Sequence, residues 1–160
     1  METIKQEPEC CPEFNPEPWH DRFHDWNGKP FIRDHVRTFF FIPLNFGSVM
    51  RRIMGKVEQA GAEMPDYLCL SDHTSRWNMD VYLAVNKRIE NADNRNFTGR
   101  YYSRVYEGKF SETGRWTEEY KKSVAEQGLT IDRWYMWYTT CPKCARKTGR
   151  NPVVILCSVH

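Results

Sequence analysis

Ser48-Val49-Met50-Arg51-Arg52-Ile53-Met54-Gly55-Lys56-Val57-Glu58-Gln59-Ala60-Gly61 is the stretch on which the fold turns. Val49, Ile53 and Val57 recur at a spacing of four, Met50 and Met54 lie beside them, Ser48 can cap the start, and Gly61 supplies a left-handed stop. That pattern predicts an amphipathic helix. The same pattern returns 67 residues later as Trp116, Tyr120, Val124 and Gly128, and by the same shift Tyr67 and Leu70 fall on Trp134 and Trp137. A constant offset through helix, stop glycine and strand is the signature of an internal repeat.

Outward from the first helix, Phe31 to Leu44 is rich in β-branched and aromatic residues and ends at Pro43, as a strand does. Ahead of it, Trp26-Asn27-Gly28-Lys29-Pro30-Phe31 places an Asn-Gly turn between apolar residues and predicts a small hairpin. After the helix, Tyr67 to Leu70 and Val81 to Val85 predict a strand pair joined through polar Ser71 to Asn78. The second unit repeats the order, with a strand from Arg100 to Tyr106, a helix from Thr113 to Gln127, and strands from Arg133 to Thr139 and Val153 to Val159. Matching Val81, Leu83 and Val85 to Val153, Ile155 and Cys157 widens the offset to 72, which places an insertion at Cys141-Pro142-Lys143-Cys144.

The expected fold class is α+β, with two strand-helix-strand-strand repeats, about 31–90 and 97–160, in one domain over 19–160. The repeats should form a curved antiparallel sheet with two helices on one side and a cleft at the seam. Residues 1–18, with Pro8, Pro12, Pro16, Pro18 and five glutamates, read as a mobile tail.

Composition narrows the function. A chain of 160 residues, 40% hydrophobic and 14% aromatic, can bury one sizeable core. Its 23 basic and 21 acidic residues leave a formal charge of +2, so no global field favours nucleic acid or an anionic membrane. The longest apolar run, Phe39 to Leu44, is too short to span a bilayer, and the first residues lack a signal-peptide core. The expectation is a cytoplasmic protein whose cysteines are free thiols or hold a metal rather than pair as disulfides, with no membrane partner.

Alternation along a strand puts Asn78, Asp80 and Tyr82 on one face. Asp80 is the candidate catalytic or cation-binding carboxylate; the competing reading is a solvated strand residue. Tyr102 shares a face with Arg104 and Tyr106, and the strand around Trp134, Trp137 and Tyr138 is aromatic on both faces. One face must be core, and the other can wall a site for planar or cationic ligands. A core role for all of them is the competing reading. Cys141 and Cys144, followed by Cys157 and His160, match zinc spacing numerically. Cys157 and His160 point to opposite faces of a strand, so the expectation is no cofactor and no metal, with Cys141 and Cys144 as the only zinc candidates. His20 and His24, four apart, read as surface residues on a helix face.

Three segments carry a family resemblance: Pro16-Glu17-Pro18-Trp19, Asp80-Val81-Tyr82-Leu83-Ala84-Val85, and Tyr138-Thr139-Thr140-Cys141-Pro142-Lys143-Cys144-Ala145. In these and in its organisation from Phe31 to Val159 the chain resembles the GyrI-like small-molecule-binding domains, in the branch of bacterial hydrolases. The resemblance implies a concave aromatic cleft with one carboxylate near its centre. Such clefts take flat cationic or polycyclic compounds, and some members hydrolyse strained electrophilic ones. Asp80 stands where that branch is expected to carry Glu, and Gly149-Arg150-Asn151 stands where a histidine is expected.

The leading function is binding of a small planar or cationic molecule, with hydrolysis of a reactive or toxic compound as its enzymatic extension. A sequestering or sensing module without catalysis is the alternative. A third class is single-stranded nucleic-acid binding, since Arg100-Tyr101-Tyr102-Ser103-Arg104-Val105-Tyr106 interleaves basic and aromatic residues; two arginines give it little weight. The ligand and the oligomeric state stay open.

Overall fold

The computed structural model describes residues 13–140 and 142–160, the side chains of Pro142 and Lys143 excepted. Residues 1–12 of the expected tail and Cys141 lie outside the described residues. The strands are β1 (Arg22–Phe39), β2 (Ile42–Pro43), β3 (Cys69–His73), β4 (Asn78–Ala84), β5 (Asp93–Glu107), β6 (Ile131–Tyr138) and β7 (Pro152–Val159). Helices α1 (Phe46–Gln59), α2 (Thr113–Glu126) and α3 (Pro142–Thr148) complete the α+β fold.

The sheet is antiparallel in the order β2-β1-β4-β3-β6-β7-β5, and a further β1–β5 pairing closes it into a six-stranded barrel. An open curved sheet is the simpler expectation from two repeats. Closure comes from the length of β1, whose first half pairs with the end of β5 and whose second half pairs with both β4 and the start of β5. Over Phe31 to Arg33, β1 is thereby paired on both sides, with β4 and with β5.

The Asn27-Gly28 signal is not a hairpin. Trp26 pairs with Gly99 and Lys29 with Phe97, so one extra residue sits in β1 as a bulge, with Gly28 at φ 71°. An Asn-Gly pair satisfies the left-handed requirement of a bulge as readily as that of a turn, and the bulge bends the strand around the barrel. At its other end β1 stops at Phe39, short of the expected Leu44, and Ile42–Pro43 folds back on it. The cysteine insertion carries a short helix, α3, which was not foreseen.

Period 2 divides the strand residues between two faces. Phe31, Leu70, Tyr82, Ala84, Phe97, Tyr101, Tyr135, Trp137, Val154 and Leu156 fill the barrel. On the outer face Ile32, Val36, Met79, Val81 and Leu83 receive Val49, Ile53 and Val57 of α1. Tyr102, Tyr106, Val153, Ile155 and Cys157 receive Trp116, Tyr120 and Val124 of α2. Each fully buried aliphatic side chain in these stripes contributes about 1.5–3 kcal/mol. Both helices end alike: Gly61 and Gly128 are left-handed, and the amides of Ala62 and Leu129 donate to the carbonyls of Val57 and Val124. This is the closing hydrogen bond of a Schellman motif.

The end of the expected tail is part of the body. The ring of Phe14 lies 5.3 Å from Trp137, and Trp19 packs on Trp137 at 4.9 Å within the barrel core.

Candidate polar site in the barrel

One end of the barrel interior is polar because the inward residues of β1, β3, β4 and β6 change there from apolar to charged. Asp80 on β4 is the direct partner of His35 on β1 and of Asp72 on β3. It is 7% exposed, and its Oδ1 accepts from His35 Nδ1 at 2.5 Å and from Asn78 Nδ2 at 3.0 Å. Arg33 Nη1 stands 3.9 Å from Asp80 Oδ2, while Arg33 Nε donates to Asp93 at 2.8 Å. Burial is the largest single influence on Arg33 and opposes its charge, but hydrogen bonds to Asp93 and Tyr82 together with the charges of Asp93 and Asp80 outweigh it and raise the guanidinium above its ordinary pKa.

A carboxylate only accepts, so His35 donates from Nδ1, and in the neutral ring Nε2 is then a free lone pair. The imidazole side chain is 56% exposed and Nε2 has no partner among the described residues. Across the barrel, Tyr82 and Tyr135 meet edge to face at 6.0 Å, and Phe97 bridges Tyr82, Tyr101 and Tyr135. Burial raises the pKa of Tyr101 and of Tyr135, so both phenols stay protonated and able to donate at neutral pH. Arg133 on β6 donates to Asp72 on β3 at 2.9 Å. That ion pair crosses the junction where β3 and β6 share a single registered pair, Ser71 with Met136.

The sequence candidates divide between the two faces. Asp80 and Tyr82 lie at this polar end, and Trp137 lies further along the interior, against Trp19. Tyr102, Trp134 and Tyr138 are on the outer face: Tyr102 donates to Asp21 and contacts Ser123 of α2, Trp134 stands 5.4 Å from Tyr120, and Tyr138 stands 5.8 Å from Phe110. One cavity therefore does not gather all six. Parity shows which residues share a face but not which face turns inward, and on β5 the inward ring is Tyr101. His35, Arg33, Asp72, Tyr101, Tyr135 and Arg133 were missed. The alternation of Arg33, His35 and Arg37 with Ile32 and Val36 is the signal for the first two.

Tyr101, Tyr102 and Tyr106 are all buried, so β5 offers no exposed stacking platform. Cys157 is sealed under α2 with its thiol pushed up to about 12 by burial, and His160 Nδ1 pairs with Asp132 at 2.8 Å. Cys144 is disulfide-bonded, where free thiols or a metal were expected. No group of three or more His, Cys, Asp or Glu is placed to hold a metal among the described residues. His24 is on β1 rather than a helix, with Nε2 2.7 Å from the buried Ser103 hydroxyl. No helix among the described residues is long and apolar enough to cross a membrane.

Comparison with known proteins agrees with this architecture. The C-terminal domain of EcmrR superposes with a TM-score of 0.62 at 11% identity, covering 89% of this chain and 98% of that one. An uncharacterized conserved protein from Listeria innocua gives 0.62 at 12% identity, and a hydrolase from Listeria innocua gives 0.59 at 11%, each covering 88% of this chain and 92% of the other. At such identities the likeness establishes fold alone. No curated protein matches in sequence. The bacterial hydrolase family matches residues 1–159, and the chain belongs to that family, on the fold shared with GyrI-like domains.

Proposed function

We propose that the protein binds a small organic molecule at the polar end of the barrel and hydrolyses it, with His35 as general base and Asp80 as the residue that positions it. The observation that carries this is the pairing of a buried carboxylate with a half-exposed imidazole whose Nε2 is unpartnered. Family membership supports the reaction class. In the step, water gives a proton to His35 Nε2 as its oxygen bonds to the electrophilic centre, and the imidazolium returns that proton to the departing group. Tyr101 and Tyr135 present hydroxyls that can donate to charge developing on the substrate.

The cleft of this reading is the β3–β6 junction, where the two expected repeats meet through one backbone pair and the Arg133–Asp72 ion pair. Its aromatic lining suits a planar ligand. The test uses 4-nitrophenyl acetate as probe. His35→Ala and Asp80→Asn should each lower kcat/KM at least tenfold, while the binding of a planar cationic dye persists. Unchanged turnover in His35→Ala removes the base. Dye binding without any turnover in the native protein leaves a non-catalytic binding module.

A further inference from the structure

Beyond β1 the chain reverses through Phe40 and Phe41, whose φ values of 45° and 70° lie in the left-handed region. Bulky aromatic residues rarely adopt it, because Cβ crowds the following carbonyl. The reversal is held from outside: Thr38 N donates to Trp77 O, Phe41 N and Thr38 Oγ1 both donate to Arg76 O, and Leu44 N donates to Arg37 O. The result is a tip on which Phe39, Phe40, Phe41, Ile42, Leu44 and Trp77 are each 51–66% exposed. It is one cluster, with Phe39 and Phe40 4.8 Å apart and Trp77 at 5.7 Å and 5.0 Å from them. Packing does not require these rings, since α1 and the barrel fill their cores without them.

The two segments that build the tip carry charge of one sign. From His35 to Val57 the chain holds Arg37, Arg51, Arg52 and Lys56 and no carboxylate, and from His73 to Met79 it holds Arg76 and no carboxylate. Arg52 is taken by Asp34, whereas Arg37, Arg51 and Arg76 pair with no carboxylate among the described residues. Arg76 lies over the Phe40 ring at 6.0 Å. A patch that met its own copy about a twofold axis would set these arginines against each other. An anionic lipid surface accepts both parts at once, rings at the headgroup level and arginines on the phosphates.

We infer that the Phe39–Leu44 turn and Trp77 form a peripheral docking tip for an anionic lipid surface. This stands apart from the reading of the barrel site.

The experiment is flotation of the full chain with vesicles of phosphatidylcholine alone and of phosphatidylcholine mixed with phosphatidylglycerol. Binding should be at least about tenfold tighter to the anionic vesicles and should weaken as salt is added. The double variant Phe40→Ser, Trp77→Ser should lose about tenfold or more while its unfolding midpoint does not fall. Arg37→Gln with Arg76→Gln, which removes no exposed ring, should abolish the preference for anionic vesicles. Equal affinity for both vesicles, or binding to neither, overturns the inference. So does a dimer in lipid-free buffer that the Phe40→Ser, Trp77→Ser variant dissociates, which would assign the tip to a second copy of the chain.

Discussion

His35 and Asp80 face each other as direct partners in the β1–β4 ladder, and the imidazole Nδ1 donates to a carboxylate that is almost sealed from solvent. A buried carboxylate without its donors is costly, so this contact belongs to stability as well as to chemistry. Asp80→Asn should destabilise the fold by about 1.5–3 kcal/mol, the range for a hydrogen bond to a charged group. Urea unfolding followed by tryptophan fluorescence measures it, and an unchanged midpoint would show that the pair contributes nothing to folding.

Acid should weaken the fold from about pH 6.5 downward. Burial first, then the charge of Lys29, lowers the pKa of His24 below 6.5, with Asp25 and Asp66 opposing; burial lowers His73 likewise, with Asp72 opposing. A ring that prefers to be neutral in the folded state leaves stability intact above 6.5. As pH falls from 6.5 toward the folded value, the unfolded chain binds more protons and stability is lost. His24→Gln should flatten the dependence of the unfolding midpoint between pH 7 and pH 5, and an equally steep slope in that variant would exclude His24 as a source.

Cys157 should be silent toward thiol reagents while the protein is folded. Its burial pushes the thiol up to about 12, far from the thiolate that reacts. Alkylation at pH 8 followed by peptide mass spectrometry should label Cys157 only when denaturant is added. Rapid labelling of the native chain at that position would contradict the packing under α2.

Phe41→Gly should raise stability by about 1 kcal/mol. The left-handed conformation at φ 70° costs a residue with Cβ roughly 1–2 kcal/mol, and glycine returns part of that gain through its greater freedom when unfolded. Thermal unfolding decides the sign. A lower midpoint would mean that the exposed ring contributes more to the fold than the strain costs.

Trp19→Ala should cost about 3–5 kcal/mol, as large-to-small changes in a core do. Its indole packs on Trp137, and its carbonyl accepts from the buried Ser103 hydroxyl at 2.6 Å. A loss below about 1 kcal/mol in urea titrations would show that the segment before β1 is an appendage.

The two long helices α1 and α2, the alternating strands they pack on and their order were legible in the residues, because periods of 3.6 and 2 are local properties; the short α3 was not. Val49, Ile53 and Val57 are buried on α1 and Trp116, Tyr120 and Val124 on α2, as their spacing requires, and both stop glycines are left-handed. Asp80 and Tyr82 do share one face, and Asp80 is the buried carboxylate at the centre of the polar end. What the local pattern could not resolve was Asn27-Gly28, where turn and bulge demand the same backbone conformation and only the partner strand distinguishes them.

By itself the sequence determined which residues are neighbours on an element, down to the helix stripes and the face that Asp80 shares with Tyr82. Tertiary structure alone decided which face of β5 turns inward, that β1 reaches β5 and closes the barrel, and that His35 meets Asp80. The physical reason is that strand register and sheet closure are set by hydrogen bonds between segments far apart in the chain. A shift of one residue there exchanges the inner and outer faces without changing any local pattern.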